Sequence, residues 1–298
     1  MTNTSVSATA STVIGRGPAS AWTFLRRARR HDADAVPASR GRYPALVEGP
    51  TNLATQDFWE EDYYRGIEIP ARPDPDFTFE RCLARALEEV APVKPRTRVL
   101  EIGCAPARWL LWYAERFGAN VTGLESSPKG VQLSQENLAA GGVDGEIVKA
   151  NFLSEGLSLG AFDLVLSLGV IEHFEDVPHA FARHAAFVAE GGRLVIGMPN
   201  FRGLIGLIQK FSDPELLSMH NTEAMQPQRY PQLANESGMS LEHSRYIDGA
   251  DPAMISVKVR PMQAAVLPLQ LWRRLRFSDR VNHRLVSSYL LLTFVRPA

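Results

Sequence analysis

The stretch from Val99 to Gly118, VLEIGCAPARWLLWYAERFG, decides how the rest of this 298-residue chain is read. An apolar run, Val99 to Ile102, breaks into the small-residue turn Gly103-Cys104-Ala105-Pro106-Ala107 and resumes as a helical pattern from Arg108. A strand that feeds a helix through such a turn is the repeating unit of open α/β sheets, and it leaves space for a ligand at the strand's carboxyl end. Gly103 lets the backbone turn sharply there without a Cβ in the way.

The rhythm continues outward from this unit. NVTGLES at 120–126, GEIVKANF at 145–152, FDLVLSLG at 162–169 and RLVIGMPN at 193–200 read as strands, with helices between them at 129–142 and 176–192. Short apolar strands alternating with helices predict right-handed crossovers and a doubly wound parallel sheet buried on both faces. Upstream, FTFERCLARALEEVA at 77–91 has helical spacing that puts Phe77, Phe79, Leu83, Leu87 and Val90 on one side. After Asn200, helices are expected in 201–211 and 214–225, and strands at 240–247 and 287–295. The division read from this pattern is a largely disordered tail over 1–50 with a short helix at 21–30, a helical cap over 51–95, a core over 96–200, and a helical lid with terminal strands over 201–298.

Composition narrows the function. Lys and Arg total 32 against 33 for Asp and Glu, a formal charge of -1, which gives no footprint for a nucleic acid backbone. Cys82 and Cys104 lack the spacing of a zinc site and are expected as free thiols. No apolar run nears the roughly 18 residues that span a bilayer, so a cytoplasmic protein is expected, with no membrane partner. The chemistry then falls to Gly103 and to Glu125, which ends the next strand about 20 residues on, where a carboxylate can take two ribose hydroxyls. A dinucleotide is disfavoured, because GCAPAR does not supply G-x-G-x-x-G.

Taken in order, VLEIGCAPA, VTGLES, VKANF, FDLVLSLGVIEHF and RLVIGMPN resemble the motifs of a class I S-adenosylmethionine-dependent methyltransferase. The resemblance implies a seven-stranded Rossmann-like sheet whose last strand pair is antiparallel. It also implies that Glu101, Gly103, Cys104 and Ala105 lie at the methionine end of the cofactor, and Glu125 with Ser126 at the ribose. Asn151, where the family usually has Asp, and Phe152 fall at the adenine, and the backbone of Ser167, Leu168 and Gly169 faces the adenosine and the transfer site. Ala107 replaces a glycine of the family's turn and is expected to need a negative φ.

For the acceptor, His173 in GVIEHFED is the candidate base, since histidine titrates near neutrality; with Glu172 it equally suits a loop-orienting role. Tyr64, beside Tyr63, and His220 are further candidates, each also suited to packing. Some quinone-pathway relatives pair such a Glu-His with an acid three residues earlier to bind a metal; Gly169 stands there, and no metal is expected. Arg273, Arg274, Arg276 and Arg280 read as a solvated helix face or an anion-attracting patch. The expected activity is methyl transfer from S-adenosylmethionine to a hydroxyl of a small specialised metabolite, releasing S-adenosylhomocysteine. Carbon or nitrogen acceptors, or a binding protein that keeps the fold without catalysis, stay open, and a homodimer is compatible with the chain.

Overall fold

A computed structural model describes residues 52–249 and 282–298. Strand β1 (Arg98–Ile102) is buried after its first residue, and β4 (Phe162–Leu168) is nearly so, because both run through the middle of the sheet with helices on either face. Strands β2 (Asn120–Glu125), β3 (Glu146–Lys149) and β5 (Val188–Pro199) complete the parallel part. Strand β6 (Ser240–Gly249) pairs antiparallel with β7 (Ser287–Val295), which pairs antiparallel with β5. The order β3-β2-β1-β4-β5-β7-β6 puts the switch point between β1 and β4, where their crossovers leave in opposite directions and a crevice opens at the carboxyl ends.

Helix α1 (Thr78–Val90) buries Phe79, Leu83, Leu87 and Val90 of the expected apolar face, together with Ala86, and Phe77 is buried just ahead of it. Helix α2 (Arg108–Phe117) follows the first turn and closes at Gly118, whose φ of 66° makes the left-handed stop that glycine permits. Helix α3 (Pro128–Ala140) opens with Ser127, whose hydroxyl accepts from Gly130 N–H, and with proline at its first position. Helix α4 (Val177–Ala185) is capped by the Asp176 side chain, which accepts from His179 N–H. Beyond β5 lie α5 (Leu204–Ser212), the short α6 (Pro214–Ser218) and α7 (Tyr230–Glu236). A π-helical segment, Phe58–Tyr63, lies ahead of α1.

Three expectations change. The helix read through Gly192 ends at Ala185, and β5 begins at Val188; Phe162 N–H donates to Phe187 O at 2.8 Å and Phe162 pairs with Val188, so sheet pairing takes residues that helical spacing had claimed. The segment 214–225 is helical only over Pro214–Ser218, whereas α7 went unread. Ala107 has φ 62°, so the turn keeps the left-handed conformation of the glycine it replaces. Its N–H donates to Cys104 O at 2.5 Å and its side chain is fully buried, which holds alanine in a conformation costing about 1–2 kcal/mol. The tail, its helix at 21–30 and the basic cluster at 273–280 lie outside the described residues.

Relieving that strain gives a direct test. Ala107→Gly is expected to stabilise the fold by about 1 kcal/mol, raising Tm by roughly 2–4 °C in a thermal melt. An unchanged or lower Tm would mean that burial of the Ala107 methyl compensates the strain.

Candidate active site

The crevice at the switch point is built first by the turn after β1. Gly103 has φ 68°, and a Cβ placed on it would lie 2.6 Å from Val170 Cγ2, so only glycine fits. Gly103 N–H donates to Leu124 O at 2.8 Å, which ties the turn to the end of β2. One residue further, the buried Glu125 carboxylate accepts from Ser127 N–H at 2.8 Å, from Ala105 N–H at 3.5 Å and from the Tyr64 hydroxyl. Burial pushes its pKa up, and those donors oppose the shift by stabilising the anion. Ser126, Asn151, Phe152, Leu168 and Gly169 line the same cavity as Glu125. Asn151 Oδ1 accepts from Leu153 N–H at 3.0 Å, so one of its lone pairs is spent on its own turn. A buried acid beside a glycine-lined turn, with an aromatic floor at Phe152, is a donor set that fits a nucleoside carrying an amino-acid tail.

A second cavity adjoins the first, and Trp59, Tyr63, Gly103, Ala105, Leu168 and His173 wall both. It is rich in aromatic side chains and also contains Glu101, Cys104, Arg108, Glu172 and His220. The turn Ile171–His173 that carries two of these is held from both sides. Leu53 N–H donates to His173 O at 2.8 Å, and Asn221 N–H donates to Glu172 O at 2.6 Å. Its side chains are also fixed. His173 Nδ1 lies 2.8 Å from Met219 O and His220 Nδ1 lies 2.8 Å from Leu216 O. A carbonyl only accepts, so both rings carry their proton on Nδ1 and keep the Nε2 lone pair free.

The two imidazoles lie tilted at 51° with centroids 4.6 Å apart, and Trp59 meets His173 edge-on at 5.1 Å. Burial, with His220 beside it, lowers the His173 pKa to about 3, and burial lowers that of His220 to about 4. Both are neutral at physiological pH. Burial raises the Glu172 pKa to about 8, and both its carboxylate oxygens are buried without a hydrogen-bond partner. One ligand-capable atom from each of Glu172, His173 and His220 lies within 4.8 Å of the others.

Most of the expected residues therefore converge, though to different ends of the crevice. Glu101, Gly103, Cys104 and Ala105 surround the first turn, while Ser126, Asn151 and Phe152 sit on the Glu125 side. The Ser167 side chain faces away from both cavities: it is fully buried and pairs with His184 Nε2 at 2.8 Å, because alternate residues of β4 face opposite ways and its partner is on α4. Tyr64 lies at Glu125 and is absent from the aromatic cavity, which places it away from the acceptor side. The sequence reading missed Trp59, which lies in an aromatic run, and the buried ion pair of Arg108 Nη1 with Glu80 Oε1. Arg108 directly follows the turn, which was the available signal.

Fold and crevice together define a class I methyltransferase of the kind that uses S-adenosylmethionine as methyl donor. The methyltransferase domain family matches residues 77–251, and the chain belongs to that family. It is 25% identical over 179 residues to 24-methylenesterol C-methyltransferase 2 of Oryza sativa subsp. japonica, covering 58% of this chain and 48% of that one. It is 33% identical over 105 residues to the ubiquinone biosynthesis O-methyltransferase of Sinorhizobium medicae strain WSM419, covering 35% and 41%. The chain thus spans less than half the length of these two curated relatives. Among solved structures, Haemonchus contortus Phospholethanolamine N-methyltransferase 2, in complex with phosphomonomethylethanolamine and S-adenosylhomocysteine, shares the fold with a TM-score of 0.54. That likeness has 17% identity and covers 86% of this chain and 62% of the other. No helix among the described residues is long and apolar enough to cross a membrane.

The ribose assignment predicts that Glu125→Ala weakens S-adenosylhomocysteine binding by about 1–3 kcal/mol in a calorimetric titration. Ser167→Ala should leave that affinity unchanged. Unaltered binding by the Glu125 variant would remove the carboxylate from the cofactor site.

Proposed function

We propose that this protein transfers the methyl group of S-adenosylmethionine to a hydroxyl of a small, largely apolar organic acceptor held in the aromatic cavity. The observation that carries the reading is the junction of the two cavities at His173, whose Nε2 is left free by the bond from Nδ1 to Met219 O. The sterol, ubiquinone and Phospholethanolamine enzymes carry C-, O- and N-methyltransferase names, so their names leave the acceptor atom open.

When bound, S-adenosylmethionine supplies an electrophilic methyl on a sulfonium sulfur and leaves as neutral S-adenosylhomocysteine. Glu125 would hold the ribose and the turn at Gly103 the amino-acid end, while Trp59 and Tyr63 close the crevice from the N-terminal side. His173 would take the acceptor's hydroxyl proton at Nε2 as that oxygen is methylated. The imidazolium would then carry the positive charge that the donor brings to the cavity. That charge would form beside Glu172, whose carboxyl, raised by burial to a pKa of about 8 and without a hydrogen-bond partner, ionises more readily once an imidazolium stands next to it. Burial makes a lone imidazolium costly, and replacement of one cation by another offsets that cost.

With an acceptor identified by screening, His173→Ala is expected to lower kcat by roughly 100-fold or more while leaving the S-adenosylhomocysteine Kd unchanged. A fully active variant would return His173 to a loop-positioning role. The spacing of Glu172, His173 and His220 also suits a divalent cation, so the proton-acceptor reading makes a second demand. Turnover should persist after dialysis against a chelator. Loss on chelation, restored by a divalent ion, would transfer the cluster from proton acceptance to metal binding.

A further inference from the structure

Helix α5 lacks the polar outer face that a helix on the outside of a fold normally has. Its inner side is seated: Ile205 is buried, Ile208 packs on the core, and a Cβ on Gly206 would lie 1.6 Å from Phe201 O, which fixes the helix against the chain leaving β5. Its outer side carries Leu204, Leu207 and Phe211, spaced three and four apart and therefore in one stripe; Leu207 and Phe211 are 57% and 65% exposed. Leu285 stands beside the first residue of the helix, since its carbonyl accepts from Leu204 N–H at 2.7 Å, and it is 54% exposed. These four are the large apolar side chains left exposed among the described residues, three on α5 and one at its start. A helix that is apolar on both sides is expected to be covered on both sides.

The charges around the stripe select what covers it. Residues 201–212 include Arg202 and Lys210 and no acid, and residues 282–286 include Arg284 and no acid; all three basic residues are exposed. The acids nearby belong to other segments: Glu223, which Arg202 at 3.3 Å shares with Arg229 at 4.0 Å, Glu215 on α6, and the buried Asp213, which caps α6. A second copy docked through the same face would set these like charges against one another. We propose that the stripe is a docking surface for an anionic lipid bilayer, with Leu204, Leu207, Phe211 and Leu285 entering the acyl boundary and Arg202, Lys210 and Arg284 meeting the headgroup phosphates. This departs from the expectation of no membrane partner, which rested on the lack of a spanning run; a helix that lies in the interface needs no such run. Phe201 ahead of α5 and Leu216 on α6 wall the aromatic cavity, so docking sets that cavity beside the bilayer, where an apolar acceptor dissolves. That last step rests on the acceptor reading of the cavity, and the docking surface does not.

Co-sedimentation of the full chain with two kinds of vesicle tests the assignment: phosphatidylcholine alone, and phosphatidylcholine with about one third phosphatidylglycerol. Binding to the mixed vesicles is expected to be roughly tenfold tighter, and that advantage to shrink as salt is raised. Replacing Leu207→Ser and Phe211→Ser together should weaken binding to the mixed vesicles by roughly tenfold or more. Lys210→Glu should lower binding to the mixed vesicles by roughly five- to tenfold and leave the weak binding to phosphatidylcholine alone. The three substituted side chains are exposed and line neither cavity, so the far-UV circular dichroism and Tm of each variant should match those of the unmodified chain. None of these readouts uses the methyl donor, and the result is therefore independent of the cofactor and acceptor readings.

The proposal is overturned if the unmodified chain sediments with neither vesicle, a comparison that needs no variant to fold and that would leave the stripe to a protein partner. It is also overturned if the double variant binds like the unmodified chain, since the contact then lies elsewhere. Equal binding to the two vesicles would remove the anionic requirement and with it the role given to Arg202, Lys210 and Arg284. A dimer of the unmodified chain in sedimentation velocity that the double variant dissociates would give the stripe to a second copy instead.

Discussion

The carboxylate of Glu125 is the point at which three separate segments become one site. It accepts from Ala105 in the first turn, from Ser127 at the start of α3 and from the Tyr64 hydroxyl in the N-terminal segment. Ser127 extends the connection, since its hydroxyl accepts from Gly130 N–H and donates to Glu60 Oε1 at 2.9 Å. A buried anion needs several donors to offset desolvation, and here those donors come from chain segments that the ligand must also touch. Satisfying the charge and assembling the crevice are therefore the same event.

The opposite end of the crevice follows a different rule. Glu172, His173 and His220 offer lone pairs without a donor facing them among the described residues, and aromatic side chains such as Trp59 and Phe201 stand in the surrounding wall. In such low-dielectric surroundings an unmet polar atom is costly, and a ligand that supplies a proton or a charge is bound more strongly than in water. The N-terminal segment and the chain after β5 both hydrogen-bond the Ile171–His173 turn, so the acceptor side depends on contacts made by segments outside the central sheet.

How far the site was legible can be judged residue by residue. Gly103 and Glu125 could be read because backbone geometry restricts them: a sharp turn after a buried strand, and an acid at the end of the next. The facing of the Ser167 side chain was not legible, because the His184 partner that draws its hydroxyl into the core lies 17 positions away. Ala107 was read as needing a negative φ, yet the turn imposes the left-handed conformation and burial in the core holds the residue there. The end of α4 was misread for a related reason, since helical spacing continues past Ala185 while the edge of β4 recruits Val188.

By itself the sequence determined the doubly wound sheet, the position of the first turn and the acid that follows it, because strand and helix periodicities are local and burial on both faces leaves few alternatives. Only the tertiary structure decided that His220 meets His173, that Tyr64 belongs to Glu125, and that Arg108 is paired with Glu80. Each of those contacts joins residues far apart in the chain. Their existence depends on how the N-terminal segment, α1 and the chain after β5 pack against the sheet, and that packing is set by the shape and charge of surfaces that no single stretch of sequence contains.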